Sequence, residues 1–380
     1  MISAIADSTP HAEARGRGLR ALVETDLPAV AALHRRVFGA SPRLAEGERE
    51  RRLHDVFWGH PWHDPRLPSL VYEEAGEIVG CLGVMPRPML FDGKPIVAAV
   101  GHNFMVAPER RGTLAALEIL RAFFAGPQDL SLADGNEASR RLWMAAGGAI
   151  AALASLRWTR ALRPTSYAVS LLRKQGLTKL LAVLGSALSR VPDGVATRAG
   201  SSPWRLKPSG LEPTPLDAAT LAECVERFSR RYPLRPHHTA PELDWLLGRL
   251  GESPDGSRLD AVALRKSGGQ EIVGWYVVQS RVGAVAEVAQ LVSTERAAEA
   301  VLEHLFRFAW QRGAIAVSGQ LDAALLPAFS ERLCFFHRAR GGSWILLHSR
   351  DEKILLEAHR CNAFFTRLEG EWWIARHLGQ

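Results

Sequence analysis

The stretch "VAPERRGTLAALEIL", Val106 to Leu120, decides how this chain is read. An apolar run, "IVAAVGHNFMV", stops just before Pro108, Arg110 to Gly112 follow, and a helical apolar period opens at once. A strand feeding a helix in this way leaves several backbone N–H groups unpaired and presents the positive end of the helix dipole. Gly112 lets a ligand approach the backbone, and Arg110 and Arg111 add charge. Local physics makes the junction a candidate anion site and leaves an ordinary strand-to-helix turn open as the alternative.

Period changes place the elements on either side. Upstream, "LRALVE" reads as a strand and "DLPAVAALHRRVFG" as a helix opened by Asp26 and Pro28 and stopped by Gly39. A charge-rich helix over Glu46 to Phe57 precedes three strands, "SLVYEE", "EIVGCLGVMPRPML" and "IVAAVGHNFMV". The turn signals "EAGE" and "FDGKP" join them as an antiparallel meander. Downstream come a helix from Arg111 to Phe124, the strand "LSLADG", the helix "NEASRRLWMAAG" and closing strands in "AIAALASLRWTRAL". A meander followed by strand and helix in alternation is an α+β layer. It spans residues 19–162, after a flexible leader over 1–18 in which no apolar signal core is present.

Residues 163–207 hold eight Lys/Arg against one acid, Asp193, and read as a connector. Within it, 167–190 spaces leucines helically among Arg173, Lys174, Lys179 and Arg190. Such a segment suits peripheral contact with an anionic membrane, or a helix packed between domains. Over 208–380 the first plan restarts, and "EIVGWYVV" stands where the first half has "EIVGCLGV". The second junction, "LVSTERAAEAVLEHL", has no glycine and carries glutamates that would repel a phosphate.

The chain has 380 residues, enough for two cores, with 47% hydrophobic and 23% charged residues, the balance of a globular protein rather than a disordered one. Cys81, Cys224, Cys334 and Cys361 form no CxxC pair, which fits a reducing cytoplasm better than a disulfide scaffold or a zinc site. Apolar runs long enough to span a bilayer are missing. The net charge of +7 suits anionic partners, such as nucleotide phosphates, lipid headgroups or nucleic acid. His54, His60, His63 and Asp64, and His237 with His238, have no regular metal spacing.

"MVAPERRG", followed by "ALEIL" and then "DLSLADGNEASRRLWMAAGG", resembles the acyl-CoA pyrophosphate motif and the next strand and helix of the GNAT acyltransferase superfamily. The resemblance implies two GNAT-like mixed-sheet domains in tandem, the second degenerate and without its own CoA, joined by a basic helical connector. It implies acetyl-CoA or another acyl-CoA as donor. The pyrophosphate would sit on the amides of Arg111, Gly112, Thr113, Leu114, Ala115 and Ala116, with charge from Arg110, and Phe104, Met105 and Val106 would pair with the pantetheine arm. Asn136 matches the asparagine that opens the later helix and contacts the cofactor, Ser139 and Leu142 fill its apolar positions, and the resemblance places Ser139 and Trp143 with Asn136 among the cofactor contacts. Two positions depart from the family: Leu114 replaces a loop glycine, and Trp143 stands where a tyrosine protonates the leaving thiolate, which indole cannot do.

For the general base, His102 in "GHNFMV" has a suitable neutral imidazole, and strand alternation puts it on one face with Phe104 and Val106. Glu287 in "AVAEVAQLV" is a second carboxylate that the degenerate half could offer. The C-terminal "FFTRLEGEWWIARHL" reads as a docking strand for the second domain, or as a sugar-stacking platform through Trp372 and Trp373. The resulting expectation is an N- or O-acyltransferase acting by direct attack of an amine or hydroxyl, with a sugar or polysaccharide precursor as acceptor and no DNA partner. A Fem-like transferase drawing on aminoacyl-tRNA and a non-catalytic GNAT-like scaffold are the alternatives.

Overall fold

The structure, a computed structural model, describes residues 17–39, 46–174, 205–338 and 343–378. The first half supplies β1 (Arg17–Ala21), α1 (Leu27–Phe38), α2 (Glu46–Phe57), β2 (Leu70–Glu74), β3 (Glu77–Phe91), β4 (Lys94–Val106), α3 (Ala115–Phe124), β5 (Leu130–Gly135), α4 (Glu137–Ala145), β6 (Ala149–Ile150) and β7 (Arg157–Ala161). After α5 (Pro164–Lys174), the second half gives β8 (Leu211–Pro215), β9 (Leu234–Pro236), β10 (Arg258–Lys266), β11 (Ile272–Ser280), β12 (Val285–Ser293), β13 (Ala316–Gln320), β14 (Phe335–His337) and β15 (Trp344–His348). Its longest helix, Ala298–Gln311, joins β12 to β13.

Two mixed sheets result. One runs β1-β2-β3-β4-β5-β15-β6 with β9 on the far end of β3, and the other runs β14-β7-β13-β12-β11-β10-β8. The meanders expected from the short turns are present in both, and each long helix returns the chain to a parallel strand. In the first sheet β4 pairs with β5 from Ala98↔Leu130 to Gly101↔Ala133. In the second, β12 pairs with β13 from Val285↔Ala316 to Val288↔Gly319. The repeat seen in the sequence is thus a repeat in the hydrogen-bond ladder.

The halves exchange strands. Arg157–Ala161, read from sequence as closing the first sheet, lies against β13 in the second. Trp344–His348, read as part of the second half, lies between β5 and β6 in the first. The two strands fill equivalent places, each antiparallel to the strand after the long helix. Periodicity marks both as strands but carries no information on which sheet receives them.

Helix α3 packs so close to β3 that a Cβ on Gly80 would fall 2.8 Å from Ile119 Cδ1, which is why glycine stands there. The opposite face of the first sheet is covered partly by α2 and partly by second-half elements. There Trp62, Trp245 on helix Ala240–Gly251 and Trp373 on helix Trp372–His377 meet edge to face at 5.6 and 5.4 Å. One apolar cluster accordingly draws on both halves, from Leu22 to Leu378, while a second lies between the second sheet and helix Ala298–Gln311. Trp373 is buried in that aromatic row, and Trp372 is covered by Arg367 and Arg376 at 4.6 and 5.3 Å from its ring centre. Trp373 is thereby closed to a sugar, whereas half-buried Trp372 also lines a cleft with Asp134 and Arg367, and the ending docks as a helix and not as a strand.

The connector begins as α5, where Arg163 donates to the carbonyls of Ala314 and Trp310 and Tyr167 lies 6.0 Å from Phe335. Arg173 and Lys174 are on this helix, whereas Lys179 and Arg190, with most of the amphipathic pattern, lie outside the described residues. No described helix is long and apolar enough to cross a membrane.

Candidate active site

The site grows out of the point where β4 and β5 part. Beyond Gly101↔Ala133 no pairing joins them. The cause lies in β4: His102 is opposite Gly83 and Met105 is opposite Cys81, so three steps on β4 match two on β3. Asn103 takes the extra step with a left-handed φ of +46°. A bulge of this kind bends its strand away from its neighbour. It also shifts side-chain alternation by one, so His102 shares its face with Met105 and not with Phe104 and Val106, which corrects the expectation from simple period two.

The pyrophosphate-loop candidates stand at the end of the parted strand. After a 3-10 turn at Pro108–Arg110, Gly112 adopts φ +89° and α3 starts at Ala115, four residues later than the period suggests. Thr113 stabilises the turn, its N–H and hydroxyl both donating to the Arg110 carbonyl at 3.3 and 2.9 Å. The amides of Gly112, Leu114, Ala116 and Leu117 donate to no group among the described residues. Leu114 is 61% exposed, so its side chain is turned out of the loop and leaves its N–H open. Arg110 is bound to Glu74 at 3.0 Å, while Arg111 is exposed. Phe104 and Val106 are half-buried on the free edge of β4, and Met105 is buried.

On the other side of the opening, Asn136 caps α4 by accepting from the Ser139 N–H at 3.0 Å, which commits its side-chain oxygen to the helix. Trp143 does not reach the opening. It is buried, donates Nε1–H to the Leu347 carbonyl at 2.8 Å and meets Phe124 edge to face at 4.8 Å. Its place among the cofactor contacts is therefore corrected: it is a packing residue behind β5 and β15, with its one donor satisfied.

His102 is enclosed as well. It is fully buried, its ring fills the space a side chain at Gly83 would need, and Phe57 of α2 lies 5.5 Å away. Asn103 Nδ2 is 3.3 Å from Nδ1, and Nε2 has no partner among the described residues. Burial first, then nearby His60 and the charge of Arg87, push its pKa down to about 3. Such an imidazole stays neutral but is walled off from any acceptor. His60 and Arg87 share this pocket of unpaired polar atoms, with Arg87 stacked 3.6 Å over Trp62. Glu287 is also committed, its Oε2 held by Arg157 at 2.5 Å and Arg367 at 2.7 Å.

The carboxyl that does stand in the opening belongs to Glu371. Its Oε1 accepts from the Asp134 N–H at 2.9 Å, a donor that would face β4 if the two strands had stayed paired. Burial, and next the charge of Asp134, raise the Glu371 pKa well above the usual carboxylate value. Burial also raises Asp134, whose carboxylate accepts from the Ser343 hydroxyl. Both acids line a cleft together with Val100, Leu132, Arg157 and Arg367. Two carboxyls with upward-shifted pKa at one cleft make it the candidate site for acid–base chemistry. Asp134 stood in view as the acid ending "LSLAD"; Glu371 did not, because 237 residues separate it from its partner.

Comparison with known proteins agrees with this geometry. Residues 18–128 match the family model described as acetyltransferase (GNAT) domain. Among solved structures, a GCN5-related N-acetyltransferase from Anabaena variabilis is 14% identical with a TM-score of 0.56, covering 87% of this chain and 72% of that one. A GCN5-related N-acetyltransferase from Kribbella flavida is 16% identical with a TM-score of 0.53, covering 87% and 70%. A probable N-acyltransferase from Enterococcus faecalis is 12% identical with a TM-score of 0.57, covering 90% and 75%. No curated protein matches the sequence. The family match covers residues 18–128, and the fold of two mixed sheets is the fold of these structures.

Proposed function

We propose that this protein transfers an acyl group from acyl-CoA to an amine or hydroxyl in the opening between β4 and β5, with Glu371 as general base. The observation that carries the reading is the opening itself, flanked by the open amides of Gly112, Leu114, Ala116 and Leu117 and by a buried carboxyl at the Asp134 N–H. The amides and the α3 dipole favour the pyrophosphate, and exposed Arg111 adds charge. The free edge of β4 at Phe104–Val106 offers backbone groups to the pantetheine arm.

The acceptor loses its N–H or O–H proton to Glu371, its lone pair adds to the thioester carbonyl, and the C–S bond breaks to release the CoA thiolate. A carboxyl with a raised pKa is a stronger base near neutral pH than an ordinary one, provided the pH is above that pKa. Asp134, raised by burial, is the nearby group that returns a proton to the thiolate. The acceptor is a small molecule or a saccharide precursor, met in the cleft beside Glu371. The features that favoured a non-catalytic scaffold lose weight, since Leu114 is turned outward and Trp143 lies outside the site.

Isothermal titration with acetyl-CoA tests the donor, and CoA release against pH tests the base. One site per chain, abolished by Gly112→Glu, is expected. Glu371→Gln should lower kcat about 10²–10⁴-fold and remove the rise of activity with pH. Acetyl-CoA binding that survives Gly112→Glu overturns the reading.

A further inference from the structure

The face of the first sheet that α2 covers holds polar groups for which acyl transfer has no use. On β3, Arg87 is four residues from Gly83, so its side chain starts on the face where the His102 ring covers Gly83. The Arg87 guanidinium lies 3.6 Å over Trp62, the His60 ring stands 6.1 Å from that of Trp62, and the charge of Arg87 reaches both imidazoles. Arg87, Trp62, His60 and His102 are each at most 5% exposed. Among the described residues, Arg87 Nε and Nη1, Trp62 Nε1, both ring nitrogens of His60 and His102 Nε2 have no hydrogen-bond partner.

These atoms are nearly all donors. Asn103 Nδ2 donates to His102 Nδ1 at 3.3 Å, which puts the ring proton on Nε2. Neutral His60 has one N–H and one lone pair, Trp62 has one N–H, and the two unpartnered nitrogens of Arg87 carry three. Water does not correct such an excess, because each molecule brings as many donors as acceptors. The charge is unmet as well. Burial lowers the Arg87 pKa to about 10, which leaves it charged at neutral pH, and its one bond runs from Nη2 to the Leu368 carbonyl at 3.3 Å. The acids whose charge reaches it, Glu369 and Glu242, are already bound, the first by His238 and Thr366 and the second by the Thr239 N–H. A buried charge and buried donors without partners are both costly.

We propose that a small inorganic anion of chloride size binds at Arg87, accepting from Nε and Nη1, with the N–H groups of Trp62, His60 and His102 as the surrounding donors. An anion brings acceptors and no donors, so it corrects the donor excess and the charge together. Bound there, it ties the His60–Trp62 segment to β3 and holds His102, the neighbour of the Asn103 bulge that opens the sheet. The inference is independent of the acyl donor and of Glu371.

Thermal melts in sodium chloride against sodium gluconate at equal ionic strength test it, since gluconate is too large for a closed site. The midpoint should rise in chloride alone, by about 2 °C for each tenfold step beyond the Kd. Arg87→Met should abolish this response, and Trp62→Phe, which keeps a ring but removes the N–H, should weaken the chloride affinity roughly tenfold. Bromide should replace chloride, and its anomalous scattering in a crystal should place it against Arg87 Nε and Nη1. If Arg87→Met does not fold, Trp62→Phe and the bromide position decide. Equal midpoints in the two salts, a chloride response that both variants leave intact, or bromide-soaked crystals with only water beside Arg87 overturn the inference.

Discussion

The two openings in this molecule start from one plan and end differently. Each follows four parallel pairs, and each has a bulge on the longer strand just past the last pair, at Asn103 in β4 and at Ala289 in β12. In the first, the next helix begins behind a glycine turn with open amides. In the second, Thr294 leads through Glu295 into Ala298 with no glycine, and the Ala297 N–H is used by the Thr294 carbonyl. The second opening is then bridged by the chain's own segment, since Arg367 N–H binds the Ala289 carbonyl. The difference teaches that the degenerate half still works on the first: the segment it anchors at Thr366–Arg367 carries Glu371 into the other opening four residues later.

The largest expected effect of breaking this contrast is on donor binding. Gly112→Glu places a carboxylate and a Cβ at φ +89°, where a pyrophosphate would sit, and acetyl-CoA binding should disappear. The matching change in the second opening, Glu295→Gly, should leave the stoichiometry at one. A second binding event would show that the bridged opening is also a donor site.

Next comes the anchor. Arg367 is 8% exposed and, with Arg157, neutralises Glu287. Arg367→Met leaves that carboxylate with one partner and loosens the segment behind Glu371. A loss of about 3 kcal/mol in denaturant unfolding is expected, with kcat falling because the base is no longer held. If kcat is unchanged while stability drops, the segment does not position Glu371. Arg87→Met should be milder in catalysis, since its guanidinium lies over Trp62 and donates only to the Leu368 carbonyl at 3.3 Å.

How much of this was legible differs between the openings. The first loop declared itself locally, through Pro108, Gly112 and the helical period after it, and the repeat showed through "EIVG" in both halves. The strand exchange was invisible because "RWTRA" and "WILLH" obey the same local rules in either sheet. The bulge at Asn103 was equally hidden, and with it the face of His102. Glu371 could not be found by spacing, since its partner is a backbone N–H far along the chain. Trp143 and Glu287 misled for the opposite reason: sequence placed them near the right elements but could not show that their polar atoms were already bound.

The smallest effect concerns the imidazoles packed around the first opening. Burial lowers the pKa of His34 to about 4 and of His60, His102 and His377 to about 3, against an ordinary 6.5. Below pH 6.5 the unfolded chain takes up protons that the folded one refuses, so stability falls as pH falls, by up to about 1.4 kcal/mol per pH unit for each group. Asp134 and Glu371 act in the other direction, because their raised pKa values make the folded state the better proton acceptor in acid. The net slope mixes both, and a difference between variants separates them. His102→Leu should remove one imidazole's share of the acid loss, about 2 kcal/mol between pH 6.5 and 5. Unfolding in urea at the two pH values measures it. An unaltered difference between them would mean that His102 is protonated in the folded protein, and hence that it is open to water and to an acceptor after all.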